Sequence, residues 1–212
     1  VPPVGYLNRL REICDQHGIL LVFDEVICGF GRMGAPFGAQ AFGVTPDIMT
    51  MAKALTNATQ PMGAIAVRDD IYTSISEAAP ENVIDFFHGY TYSAHPAACA
   101  AGIATQKIYE EENTFEKAAE LIDYFHDGLF TLRDLNCVRD IRCYGLMGGV
   151  ELHAKGAPGS LGTQTQKDLF WNGMHIKFTG DAGIIAPPFI SERKDIDSMI
   201  DILRQTLEKI GS

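Results

Sequence analysis

A helical repeat that stops on a glycine and runs at once into an unbroken apolar stretch sets the frame for this chain. Tyr6, Leu7, Leu10, Ile13 and Cys14 recur at helical spacing between Gly5 and His17, and Gly18 is a C-terminal stop. Ile19-Leu20-Leu21-Val22-Phe23 follows, apolar at every position, as a parallel strand buried on both faces would be. A helix laid against such a strand predicts α/β layering.

The remaining segments keep the alternation. Residues 47–51 and 64–67 read as short strands, and residues 71–78 as a helix. The glycine-rich stretch 29–43 has no period and reads as loop. A small-residue helix over 96–112 is expected to run into a longer one ending near Asp134. Beyond it, residues 138–144, 146–152, 174–178 and 183–186 are strand candidates. Residues 164–172 and 195–210 read as helices, the last one amphipathic through Ile196, Met199, Ile200, Leu203 and Leu207. The texture changes near residue 110. Two domains are expected, over 1–110 and 111–212, α/β followed by α+β.

Composition removes several classes of function. Across 212 residues, 17 Lys+Arg stand against 27 Asp+Glu, a formal net charge of −10. No basic cluster could face a phosphate backbone, so nucleic acid is not expected as a partner. The longest clean apolar run is five residues, against the roughly 20 that a spanning helix needs, so no membrane partner is expected either. Five cysteines, odd in number and without a CxxC pair, give neither a disulfide framework nor a zinc knuckle. A reduced, cytoplasmic protein is the expectation, with no signal peptide visible. The chain opens on Val1-Pro2-Pro3 with a helix starting at once, which reads as a segment cut from something longer.

Three features could carry chemistry. Gly29-Phe30-Gly31-Arg32-Met33-Gly34 is a formal G-x-G-x-x-G, but five residues separate it from the strand and Ala35-Pro36 follows where a helix should start. A nicotinamide-dependent oxidoreductase would rest on that loop alone. Asp24-Glu25 closes the first strand, where open α/β sheets place working groups; either carboxylate could equally be a helix cap or an ion-pair partner. Lys53 follows the mainly apolar residues 48–52. An amine at the edge of a core is a better nucleophile because desolvation disfavours its charge, although such a lysine can also simply snorkel. An acid on one strand end and a lysine on the next are together what pyridoxal phosphate chemistry needs: an amine for the aldehyde and a carboxylate for the pyridine nitrogen. Arg32, His88, His95 and Glu25 read as structural.

Leu21-Val22-Phe23-Asp24-Glu25-Val26 with Gly29-Phe30-Gly31-Arg32 resembles the class III aminotransferases. So do Thr45-Pro46-Asp47-Ile48-Met49-Thr50-Met51-Ala52-Lys53 and Pro61-Met62-Gly63-Ala64. The segment from His88 to Pro96, His88-Gly89-Tyr90-Thr91-Tyr92-Ser93-Ala94-His95-Pro96, is most similar to the branch acting on β-alanine or other ω-amino acids with pyruvate. The resemblance runs through the whole chain and implies the fold-type-I pyridoxal phosphate architecture: the C-terminal part of a large, mainly parallel sheet domain, then a small α+β domain. It implies Lys53 as the Schiff-base residue and proton shuttle, Asp24 on the pyridine nitrogen and Val26 against one ring face. Thr91 would bond the cofactor phosphate of the neighbouring subunit in a homodimer. An amino donor and a pyruvate-like acceptor would be the substrates. Decarboxylases, racemases and aminomutases share the fold, and a non-catalytic remnant is the remaining alternative.

Two departures from the family pattern stand out. Lys177 in Lys177-Phe178-Thr179-Gly180-Asp181 occupies the place of an arginine that clamps the substrate carboxylate. Lysine is a point charge and lacks the guanidinium's planar fork, so weaker carboxylate recognition is implied, with room for amines lacking an α-carboxylate or for a sulfonate. Asn57-Ala58-Thr59-Gln60 replaces a glycine-containing turn, and Ala58 is strained if it must take positive φ. The resemblance also implies an N-terminal half bearing the Gly/Ser phosphate loop and a ring-stacking aromatic. Without them the chain is expected to bind cofactor poorly and to expose apolar sheet edge.

Overall fold

A computed structural model describes residues 1–83, 86 and 88–211, and the chain divides into two compact units. One comprises residues 2–30 and 35–113. The other gathers Val1, residues 31–34 and residues 114–212.

In the first unit, α1 (Tyr6–His17) starts after Gly5 and ends on Gly18, whose left-handed φ of 63° lets its N–H bond the Cys14 carbonyl. This is the stop that the sequence predicts. The sheet is formed by β1 (Val22–Asp24), β2 (Ile48–Met51) and β3 (Ala64–Val67), in that order. α2 (Gly38–Phe42) lies between β1 and β2 in the chain, and α3 (Asp69–Ala78) and α4 (Pro96–Glu111) follow β3. β1 and β2 run parallel with Asp24 opposite Thr50, while β3 returns antiparallel with Ala64 opposite Met51.

Two expectations need correcting here. The run 19–23 is not buried on both faces: only Val22 and Phe23 of it fall in strand, and Ile19, Leu20 and Val22 are each about half exposed. The reason is position. Among the described residues β1 pairs only with β2, so it is a sheet edge. Nor is the stretch 29–43 all loop, because α2 forms within it. Glu25, buried at 2% exposure, accepts hydrogen bonds from the N–H groups of Gly38 (2.9 Å) and Ala39 (2.7 Å). That carboxylate satisfies the donors a helix start leaves open, a long-range cap that no local pattern reveals.

In the second unit, α5 (Thr114–Glu120) and α6 (Ile122–Phe130) precede β4 (Val138–Tyr144) and β5 (Met147–Leu152). α7 (Ser160–Trp171), β6 (Lys177–Thr179), β7 (Ala182–Ile185) and α8 (Arg193–Gly211) complete it. The sheet order is β4-β5-β7-β6, antiparallel throughout. Phe125, Leu129, Leu146, Leu169, Ile185, Ile196 and Leu207 belong to one continuous core. The single long helix expected to end near Asp134 is instead α5, α6 and a 3-10 turn (Thr131–Asp134), α4 having ended before Asn113, whose φ is 50°. α7 starts ahead of the expected residue 164 because the Asp181 carboxylate accepts from the N–H groups of Gly159 (3.1 Å) and Gly162 (2.8 Å). Residues 31–34 thread into this unit. Arg32 donates to the carbonyls of Leu146 (2.9 Å) and Pro187 (2.6 Å), and a β-carbon on Gly145 would fall 2.2 Å from the Arg32 carbonyl oxygen. Among the described residues no helix is long and apolar enough to cross a membrane.

Candidate active site

Parallel pairing of β1 with β2 brings two carboxyl ends to the same sheet edge, the side where open α/β sheets bind ligands. Asp24 is the last residue of β1. Its exposed carboxylate accepts from Val26 N–H (3.1 Å) and, more weakly, from the Thr50 hydroxyl (3.3 Å), both at Oδ1. Val26, half-buried in the turn after β1, thus orients the acid as well as lying beside it.

Lys53 opens a 3-10 turn (Lys53–Leu55) just past the end of β2. The structure does not tuck it into a core edge: it is exposed, because the apolar stretch before it is only partly covered. It also stands at φ 48°, in the left-handed region. A residue with a β-carbon costs about 1–2 kcal/mol there, and strain of this kind gathers at functional sites. Ala58, at φ 59°, takes the strained conformation that the loss of a glycine turn implies. Thr56, buried at 1% exposure, closes the segment by donating to the Gln60 carbonyl at 2.7 Å, while the Thr59 hydroxyl donates to the Thr56 carbonyl at 2.7 Å.

Asp24, Val26 and Lys53 are therefore gathered at one edge of the sheet. Thr91 belongs to the same unit, exposed in the turn leading into α4. Lys177 belongs to the other unit, where it is the exposed first residue of β6 and the following N–H, of Phe178, donates to Gln166 (3.0 Å). His88 lies between the rings of Phe86 (5.9 Å) and Tyr90 (5.1 Å).

The glycine loop does not make a dinucleotide site. No helix starts on Gly34, and the first helix beyond it, α2, has its N-terminal donors occupied by Glu25. Burial, reinforced by the charges of Glu25 and Asp24, pushes the Cys28 thiol up.

Sequence reasoning missed the polar pins of this unit. Asp47, 4% exposed, accepts from Leu21 N–H (2.7 Å), from Arg11 (2.9 Å) and from Arg68. The Leu21 N–H, then the two guanidinium groups, hold its carboxyl below the usual range against the opposing effect of burial. Its partners come from α1, from the start of β1 and from beyond β3, so no local spacing announces them. Tyr109 was missed for the same reason: its hydroxyl donates to the Ala54 carbonyl at 2.7 Å.

A family model described as aminotransferase class-III matches residues 1–207. An omega-aminotransferase of Caulobacter vibrioides is 49% identical over 99% of this chain, and a beta-alanine–pyruvate aminotransferase of Pseudomonas aeruginosa is 45% identical over all of it. Each match covers 48% of the relative. Among solved structures, the omega transaminase from Pseudomonas jessenii in complex with PMP matches with a TM-score of 0.91 and 33% identity. It covers 99% of this chain and 48% of that one. The chain spans about half the length of the curated relatives it matches.

Proposed function

The chain belongs to the class-III aminotransferases, and from that premise we propose that the whole protein moves an amino group from an ω-amino acid or amine to pyruvate by a ping-pong mechanism. The observation that carries this reading is Asp24 and Lys53 on neighbouring strand ends, in a chain similar to ω-amino acid transaminases. The fold is that of the fold-type-I pyridoxal phosphate enzymes, and the donor set suits the group. An exposed carboxylate with one oxygen anchored can meet a ring nitrogen, and an exposed amine at the adjacent strand end can meet an aldehyde.

Pyridoxal phosphate, when bound, supplies an aldehyde that condenses with amines and a ring that draws off electrons from the substrate carbon. Asp24 keeps the proton on the ring nitrogen, held in orientation by Val26 N–H and Thr50. Lys53 Nζ would hold the aldehyde, and its amine would be the group that moves a proton at the substrate carbon. Val26 would lie against the ring. Thr91 would bond the cofactor phosphate of the neighbouring subunit in a homodimer, and the protein would act in the cytoplasm. Lys177 receives the substrate carboxylate as a point charge.

Borohydride reduction of the full-length protein with pyridoxal phosphate, followed by digestion and mass mapping, tests the assignment. A single adduct on Lys53 supports it, and scattered labelling of surface lysines sinks it. Lys177→Arg should lower the KM for pyruvate, since a planar fork binds a carboxylate better than an ammonium does. An unchanged KM would remove Lys177 from the substrate site.

A further inference from the structure

The left-handed backbone at Lys53 needs outside support. Ala52 before it is extended at φ −161°, so the backbone passes from extended to left-handed over a single residue. Such a conformation persists only where neighbouring contacts over-determine it. Two bonds come from the turn itself: Leu55 N–H donates to the Ala52 carbonyl (3.1 Å) and Thr56 N–H to the Lys53 carbonyl (3.2 Å). The outside support comes from α4. The Tyr109 hydroxyl donates to the Ala54 carbonyl at 2.7 Å, and Gln106 reaches the next carbonyl, of Leu55, at 3.4 Å.

Tyr109 is itself well placed to act as a fixed point. It ends the buried face of α4, formed by Ala98, Gly102, Thr105 and Tyr109 at helical spacing. It is 6% exposed, and its ring lies 6.4 Å from that of Phe30, centroid to centroid. A hydroxyl from α4 is thus bonded to the carbonyl of the residue immediately after the lysine.

We propose that Tyr109 is a positioning residue for Lys53: its hydroxyl, through the Ala54 carbonyl, holds the left-handed turn from which the lysine amine is presented at the strand ends. This rests on reading Lys53 as the cofactor lysine. The effect of Tyr109 is on placement, and a displacement of about 1 Å at a reacting group can cost on the order of a hundredfold in rate.

The test is Tyr109→Phe in the full-length protein, a change that keeps the ring against Phe30 and removes the donor. In the cofactor-free protein, amide hydrogen exchange over residues 53–60 should accelerate by about tenfold while α4 keeps its protection. In the loaded enzyme kcat should fall by about tenfold, with the KM for the amine nearly unchanged and the borohydride adduct still on Lys53. 4-Aminophenylalanine in place of Tyr109 restores a donor at the same ring position and should return both readouts toward the parent values. Unchanged exchange over 53–60, exchange that rises equally along α4, or failure of the restored donor to rescue would each overturn the proposal. Loss of the Lys53 adduct in the unsubstituted protein would instead refute the cofactor reading, with the exchange comparison still deciding whether Tyr109 holds the turn.

Discussion

Behind β4–β7, Phe125, Leu129, Leu146 and Ile185 are fully buried, whereas on β1–β3 Val22 and Ile65 stand 51% and 66% exposed. The two units hold their sheets by different physics. Each large apolar side chain buried in the second contributes about 1.5–3 kcal/mol, and residues of α6, α8 and the sheet join in one core. The first has few such side chains and relies on polar pins: Asp47 on two arginines and a backbone N–H, Glu25 on the start of α2, Tyr109 and Thr56 on the lysine turn. The candidate chemistry sits in the pinned unit. Hydrogen bonds fix individual atoms where apolar burial fixes only a surface, so a strained lysine is better served by pins than by packing.

The comparison can be broken outright by core truncation. Leu129→Ala should cost about 3–5 kcal/mol in urea unfolding, because it removes fully buried atoms and leaves a cavity. Ile65→Ala, at an exposed strand position, should cost less than about 1 kcal/mol. Equal costs would mean that the two sheets are not held differently.

A pH series sharpens the claim about pins. The folded state holds the Asp47 carboxyl below its unfolded value of about 3.9. Its stabilisation is therefore fully present above that value and is lost as pH falls through the lower, folded one. The gap in urea midpoint between the parent and Asp47→Asn should be constant near neutral pH and shrink in acid. A gap that stays the same down to strongly acidic pH would remove Asp47 from the account.

The smallest effect is a gain. Ala58→Gly relieves a left-handed alanine and should raise stability by about 1 kcal/mol, read in the same urea experiment. A loss would mean that the turn is not strained at that residue.

Much of the element order was legible because it is written in neighbours. Gly18 ends α1, Gly145 separates β4 from β5, and residues 64–67 form β3 as read. The misreadings share one cause. α2 hides in a glycine-rich stretch because Glu25 caps it from thirteen residues away, and α7 starts early because Asp181 reaches back to it. The run 19–23 looked buried because periodicity reports how apolar a strand is, while exposure depends on what lies over it. In the candidate site, Asp24 and Lys53 were visible as strand-end residues and through a family resemblance. Tyr109 and Asp47 were not, since each acts on a carbonyl, N–H or guanidinium far away in the chain.

Local spacing and residue chemistry were thus enough to set most of the element order and to mark Asp24 and Lys53 as strand-end candidates, because those follow from periodicity and from what a carboxylate and an amine can do. The parallel register that sets Asp24 opposite Thr50, the left-handed turn at Lys53 and the hydroxyl that braces it were decided only in three dimensions. Each depends on contacts between segments that the chain order keeps apart, and their energies exist only once the sheet and α4 have formed.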